Sequence, residues 1–367
     1  MEIFGQTSIQ AILFFVLYGV TGVVPLIAAF YLLLRRANAI APGVTSPVRL
    51  RRWTAAFFGV STLVHVWWLV FYIFYRDLNS LGYLVLAMLD CVLLFTTFAG
   101  MLLAMLQDRR RPVWPAMAAV IPFVALWGAY MAYPNSQLEE FAAAYLLLLG
   151  LVFSGYMVFA IRQYERWLND NYADLENKKV WLSQAVSLVC MLLFVLYVLA
   201  TDMVFLWLVH IIELVLVGLL LWRVETLPML DDPSHLSPLN SYLPQPATPV
   251  NINFALIEQL LKEHCESTQF YLQHDISLYY LAQAIGTNRS YLSQYFSRQG
   301  ITYNIYINNL RINHFISRYQ EVAQAQQPFT VQQLAIESGF RSYSTFSRAF
   351  TQRMDQSVTA WMRDAAE

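Results

Sequence analysis

Residues 277–300 read SLYYLAQAIGTNRSYLSQYFSRQG, and residues 330–353 read TVQQLAIESGFRSYSTFSRAFTQR. The two stretches share one pattern. In the first, Ser277 can cap a helix that turns Leu281, Ala282 and Ile285 inward. Gly286 follows Ala282 by four residues and stops that helix in a tight turn, since glycine accepts the left-handed backbone of a sharp helix end. Thr287 or Asn288 can cap a second helix with Leu292 and Phe296 inward. In the second stretch, Thr330 and Gln333 predict a capping box. Ala335 and Gly339 repeat the four-residue spacing, and Phe346 and Phe350 take the anchor positions. The offset from Ala282 to Ala335 is 53 residues. A small residue where two helices cross, a glycine corner and a large apolar anchor are what a helix-turn-helix requires.

One such match is permissive; two joined by a helix are far more specific. Tyr303–Tyr319 predicts that joining helix, with Ile305, Ile307, Leu310, Ile312 and Phe315 on its apolar side. Ahead of the first unit, Phe254, Ile257, Leu260 and Leu261 predict an amphipathic helix. Residues 251–367 therefore predict one soluble, all-helical domain.

Over about residues 254–364 the sequence resembles the C-terminal DNA-binding domain of AraC/XylS-type transcription regulators. The resemblance rests on YLAQAIGTNRSYLSQYF, on YINNLRI and on LAIESGFRSYSTFSRAF. The close of the family's signature departs: Asp355 and Val358 stand where a glycine and then a proline are usual, while Trp361 stands where the family has an aromatic residue. The resemblance implies two recognition helices in successive major-groove segments on one face of double-stranded DNA. A rigid joining helix can hold two such units about one helical turn, roughly 34 Å, apart. Charge agrees. Between residues 289 and 353 seven arginines face two acids, Glu321 and Glu337, within a chain of net charge −1.

With Leu292 and Phe296 inward, the outward candidates on the first recognition helix are Arg289, Ser290, Ser293, Gln294 and Ser297. With Phe346 and Phe350 inward, those on the second are Ser344, Thr345 and Arg348, with Arg341 near its start. Arginine can read guanine bidentately and glutamine can read adenine. Arg298 and Arg353, at helix ends, are placed to position phosphates.

The rest of the chain belongs to another solvent. Hydrophobic residues make up 58% and charged residues 13% of the 367, against about 25% charged in a soluble domain. Seven apolar segments, 8–34, 53–75, 81–106, 113–133, 138–161, 180–200 and 203–224, each approach the length that crosses a bilayer. Thr201-Asp202 is the expected break between the last two. Residues 1–225 thus predict a seven-helix transmembrane bundle, 226–250 a linker with six prolines, and 251–367 the all-helical domain with two helix-turn-helix units. Met1–Gln10 has no Lys or Arg and does not read as a cleavable signal.

Basic residues set the expected orientation. Arg35, Arg36, Arg49, Arg51, Arg52, Arg109, Arg110, Arg111, Arg162, Arg166, Lys178, Lys179 and Arg223 fall on one side, and Arg76 alone on the other. The expectation is an N-terminus outside, a cytoplasmic C-terminal domain and a multi-pass location in the cell inner membrane. The charged loop 162–179 reads as a carrier of topology and solubility. Trp53, Trp114 and Tyr133 are expected in an interfacial belt.

Four polar residues inside the spans, His65, Asp90, His210 and Glu213, are candidates for sensing, because ionisable groups are costly there. His210 and Glu213, three apart, share a helix face; a ligand or proton site and a simple interhelical hydrogen bond are both open for them. A retinal protein is disfavoured, because Lys178, Lys179 and Lys262 all lie outside the last span. Cys91, Cys190 and Cys265 form no zinc spacing, and no HExxH, GxSxG or Walker pattern occurs. No enzyme activity, metal or cofactor is therefore expected. The expected function is a membrane-bound one-component transcription regulator that binds DNA, lies in lipid, can form a homodimer and responds to an unknown small-molecule or membrane signal. The alternative is a transporter or membrane enzyme with a helical protein-interaction tail.

Overall fold

The computed structural model describes residues 8–74, 80–199, 203–230 and 254–365. The Thr201-Asp202 break, Arg76 and the linker prolines beyond Pro228 lie outside the described residues. Among those described, every named element is helical, and the chain divides into two compact units.

The first unit contains Met1–Arg162 and Val180–Leu230. Its helices are α1 (Ser8–Leu34), α2 (Val48–Phe74), α3 (Leu81–Met105), α4 (Trp114–Ala118), α5 (Ile121–Ala132), α6 (Ser136–Asn171, which continues past the unit's edge), α7 (Trp181–Leu199) and α8 (Met203–Thr226). Six helical stretches among the described residues are long and apolar enough to cross a membrane: α1, α2, α3, α4 with α5, α6, and Trp207–Thr226 of α8. Over Trp181–Leu192, α7 counts as a shorter apolar helix. Large apolar side chains such as Ile12, Ile27, Leu148 and Phe159 are exposed on these helices, a surface suited to lipid rather than water.

Local chemistry explains the departures from the expected boundaries. The segment expected at 113–133 is two helices because Pro122, in the first turn of α5, has no N–H to give and its ring crowds the preceding turn. Helix α6 runs ten residues beyond the expected end of its apolar segment, through the charged RQYERWLNDN sequence. Trp53 is not simply a belt residue. Its ring lies over Gly100 of α3, where an added Cβ would stand only 2.3 Å from it. The exit of α8 is pinned from within the unit. Buried Glu225 pairs with Arg35 at 3.0 Å and accepts the Tyr31 hydroxyl at 3.0 Å. Gln107 brackets the chain beyond it, donating to the Pro228 carbonyl at 3.0 Å and accepting from the Leu230 N–H at 2.9 Å.

The second unit joins Gln163–Lys179 to Asp231–Glu367. Its helices after the end of α6 are α9 (Phe254–Leu261), α10 (Leu278–Ala284), α11 (Arg289–Arg298), α12 (Tyr303–Gln324), α13 (Val331–Glu337), α14 (Tyr343–Met354) and α15 (Val358–Asp364). There are two cores. The first gathers Ile257, Leu261, Leu281, Leu292, Phe296, Tyr303, Ile307 and, from the α6 side, Ala173. The second gathers Ile312, Phe315, Leu334, Phe340, Phe346, Phe350 and Val358. Helix α12 serves both, its first half lining one and its second half the other.

Arg311 stitches the two cores together. It is only 1% exposed, and it donates to the Tyr271 carbonyl at 2.8 Å and the Gln273 carbonyl at 2.7 Å while lying over the Phe340 ring. Burial pushes its pKa down to about 10. Counting Arg311 in a basic surface was therefore an error: at i+4 from Ile307 and i+4 before Phe315 it sits on the inward face of α12. Arg318 pairs with Glu321 and Glu337, the two acids already set against the arginines, so it is the burial of Arg311 that makes the surface excess smaller than the sequence count.

Candidate nucleic-acid interface

The two short-helix pairs, α10–α11 and α13–α14, end their first helices identically. After α10, the Thr287 N–H donates to the Ala282 carbonyl at 2.9 Å and the Gly286 N–H to Gln283 at 3.1 Å. After α13, the Phe340 N–H donates to Ala335 at 3.1 Å and the Gly339 N–H to Ile336 at 2.9 Å. This is the paired-bond stop that needs a left-handed residue, and Gly286 and Gly339 have φ of +71° and +88°. Asn288 caps α11 by accepting from the Tyr291 N–H at 2.8 Å, and Ser342 caps α14 by accepting from the Thr345 N–H at 3.3 Å. Thr330 accepts from the Gln333 N–H at 3.2 Å, but the expected box is only half made, because the Gln333 side chain turns to Glu337 at 3.0 Å.

The anchors Leu292, Phe296, Phe346 and Phe350 are buried, and Tyr295 joins them. That leaves Ser290, Gln294, Ser297, Ser344 and Arg348 exposed, with Arg289, Ser293 and Thr345 half-buried. Not all the expected contact residues are equally available. The Arg298 guanidinium lies 4.7 Å from the centre of the Phe254 ring. Arg353 turns back onto α12, donating to the Asn309 carbonyl and, at 2.6 Å, to Asn313 Oδ1. Arg341 makes two contacts with Asp275, at 3.0 and 3.1 Å. Arg289 donates to Asn171 Oδ1 at 2.9 Å.

At the start of α14 the Ser342, Ser344 and Thr345 hydroxyls converge, with Ser342 Oγ 2.9 Å from Ser344 Oγ and 3.1 Å from Thr345 Oγ1. Glu176 meets them. Its carboxylate accepts from Ser342, from Thr345 at 2.9 Å and from Ser344 at 3.4 Å. The Ser342 hydroxyl, helped by Thr345, Ser344 and the Arg341 charge, holds the Glu176 pKa below its ordinary value against the opposing effect of burial. Glu176, Asn171, Asp275 and Ser342 were missed in the sequence. Glu176 is one acid in a charged loop, and nothing local marks a partner 166 residues away.

The turn after α14 keeps its shape despite the missing glycine. Asp355 adopts φ +53° and its N–H donates to the Thr351 carbonyl at 3.0 Å. Ser357 then caps α15, and Trp361 packs against Tyr319 and Phe350 with ring centres 5.2 and 5.5 Å away.

Within the first unit, three of the four candidate sensing residues come together. His65 Nε2 lies 3.5 Å from Glu213 Oε2, and the Ser61 hydroxyl donates to Glu213 Oε1. The Tyr18 hydroxyl donates to the His65 carbonyl at 2.7 Å. His210 stacks on Phe14 and packs against Tyr18 and His65, and both its ring nitrogens are buried without a hydrogen-bond partner. The polar partners of Glu213 are thus on α2, while His210 lies among rings. Asp90 is elsewhere, accepting from the Trp68 indole N–H. No group of three His, Cys, Asp or Glu side chains that could hold a metal occurs among the described residues.

Residues 281–364 match a family model described as a helix-turn-helix domain, which supports an AraC-type DNA-binding unit over that range. The match runs from within α10 to the end of α15 and includes none of the apolar helices. No curated protein and no solved structure matches the chain.

Proposed function

We propose that the chain is a membrane-bound one-component transcription regulator. In this reading α10–α11 and α13–α14 are two helix-turn-helix units, and α11 and α14 read successive major-groove segments of double-stranded DNA. The observation that carries it is the repeated pair of glycine-stopped helices on a single spacer. Helix α12 has 22 residues, so it is about 33 Å long at 1.5 Å per residue, close to one turn of DNA at roughly 34 Å. Ser290, Ser293, Gln294, Ser344, Thr345 and Arg348 are the base-facing candidates, with Arg289 and Arg341 beside them. Arg298 and Arg353 belong at phosphates only if they leave their present contacts.

The apolar helices support a membrane location, read here as the inner membrane. With α7 counted as a span there are seven, and the arginine asymmetry then puts the N-terminus outside and the DNA-binding unit in the cytoplasm. The cluster of His65, His210 and Glu213 is the sensing site, with His210 offering two unsatisfied nitrogens to a small polar ligand. The protein acts by binding, without catalysis, and a change in homodimerisation is the natural route from signal to DNA.

The test is DNA occupancy by the full chain. Genome-wide occupancy of the tagged protein is expected at discrete promoters. Binding of a selected duplex in nanodiscs is expected to fall steeply with salt, and Arg348→Ala is expected to weaken it. Uniform, sequence-independent binding would refute the reading. For sensing, His210→Ala and Glu213→Ala should alter promoter output at constant protein level. A reporter fused at residue 367 should behave as cytoplasmic.

A further inference from the structure

The segment between α6 and α7 does more than carry charge. Ala173 is 1% exposed and belongs to the first core of the second unit. Tyr172 forms an isolated antiparallel bridge with Ser277, and the Ala173 N–H reaches the Ile276 carbonyl at 3.4 Å. Asn304 of α12 donates its amide to the Tyr172 and Ala173 carbonyls at 3.1 and 2.6 Å. These contacts form an anchor. Three residues further on, the segment is exposed, Asn177 takes φ +53°, and Glu176 sits on the three hydroxyls at the start of α14. Lys178 closes the tip by approaching Asp275 at 3.5 Å, the same carboxylate that binds Arg341.

Chemistry identifies what Glu176 stands in for. A helix N-terminus carrying several hydroxyl donors favours an anion, and a DNA phosphate or a base-edge acceptor would make the same demand. Here the anion comes from the chain itself. It brings a negative charge to the face that must approach polyanionic DNA, and it engages Ser344 and Thr345 on their outward side. On the same face Asn171 engages Arg289 of α11 and Asp275 engages Arg341. Four groups suited to DNA contact are thus satisfied by residues 171–176 and Asp275.

We infer that residues 171–178 are an intrachain docking segment whose Glu176 tip occupies the DNA-facing start of α14, so that docking of the tip and binding of DNA exclude each other. The inference rests on the DNA-binding reading of the second unit. The buried anchor keeps the segment in place, while the exposed tip can lift without disturbing the core. Glu176 lies five residues past the end of α6. A change in that helix therefore reaches the tip through a short, continuous stretch of backbone.

The test uses the full chain in nanodiscs and a duplex of about 30 base pairs selected from a random pool on the same protein, long enough for two units one turn apart. Glu176→Ala is expected to bind it about 3- to 10-fold more tightly than the wild type, the scale of one or two hydrogen bonds to an exposed charged group. Asp170→Asn removes the same charge from the last turn of α6, just ahead of the segment, and should change affinity far less. Arg348→Ala should weaken binding in either background. Hydrogen exchange supplies a second readout: residues 174–179 should lose protection when the duplex is added. Unchanged affinity in Glu176→Ala and retained protection, in a protein that binds DNA and responds to Arg348→Ala, would overturn the inference alone. If neither the wild type nor Glu176→Ala selects any duplex, the DNA-binding reading falls and takes the inference with it. An equal gain in Asp170→Asn would reduce the effect to general charge and also overturn the inference.

Discussion

Replacing Gly339 with alanine isolates one close approach in the second unit. Gly339 has φ +88°, and a Cβ there would stand 2.8 Å from both the Leu272 Cα and its carbonyl oxygen, and 3.0 Å from Arg311 Nε. The left-handed backbone costs alanine about 1 kcal/mol. The Leu272 atoms are backbone and cannot rotate away, so relief requires moving the 271–275 segment that also supplies both acceptors of Arg311; overpacking of this kind costs about 1–3 kcal/mol. The stiffer unfolded chain returns about 0.5 kcal/mol. The net loss is about 1.5–3.5 kcal/mol. Gly286 provides the internal control, since it has φ +71° but nothing within 4 Å of an added Cβ. Gly286→Ala should therefore cost only about 0.5–1 kcal/mol. The readout is pulse proteolysis of the second unit in the full chain across a urea series. With a slope of about 1.5 kcal/mol per M, Gly339→Ala should unfold about 0.7–2 M lower than Gly286→Ala. Equal midpoints for the two variants would refute the close approach to Leu272 as the reason for glycine at 339.

Three further outcomes follow from the same geometry. Arg311→Met leaves the Tyr271 and Gln273 carbonyls without their donor and should destabilise the second unit by about 3–5 kcal/mol; Arg311→Lys should recover little, and in neither case should the salt slope of DNA binding change, as checked by urea titration and by binding at varied ionic strength. Asp355→Gly should raise stability by about 0.5 kcal/mol, because glycine takes the left-handed turn after α14 more readily than aspartate; a lower urea midpoint would contradict this. The Glu176 contacts hold its pKa below the ordinary 4.5, chiefly through the Ser342 hydroxyl. Their stabilisation is thus complete at neutral pH and is lost as pH falls through the lowered value. The difference in urea midpoint between the wild type and Glu176→Ala should shrink to nothing below that pH, and a difference that grew on acidification would be the wrong sign.

The second unit was largely legible because its signals are local. A cap, a four-residue Ala-to-Gly spacing and an apolar anchor all act within about 20 residues, and each fell where the pattern put it. The apolar helices were legible through length and composition, though Pro122 divided one of them and α6 outran its apolar stretch. Arg311 was misread by type rather than by position: its place in the i+4 series Tyr303, Ile307, Arg311, Phe315 already pointed inward, but arginine was counted as surface. Glu176 was illegible for a different reason. Its role exists only through hydroxyls far along the chain, and its neighbours Asp174 and Lys178 look equally polar in the sequence, although both are buried. The meeting of His65 with Glu213 across α2 and α8 was hidden in the same way, since periodicity identifies the face of a helix but not which helix it meets.

The burial of Ala173 also sets a timetable. The second unit is discontinuous along the chain, and about 75 residues separate Lys179 from Phe254. At a synthesis rate of roughly 5–20 residues per second, the Tyr172–Ala173 edge leaves the ribosome about 5–26 s before Ile276, Ser277 and Asn304, which cover it. During that interval the edge is open to chaperones, and α7 and α8 are made before the cover arrives. A chain terminated ahead of Phe254 never receives the cover, and so carries a persistent mark by which proteolytic quality control can tell an unfinished molecule from a finished one.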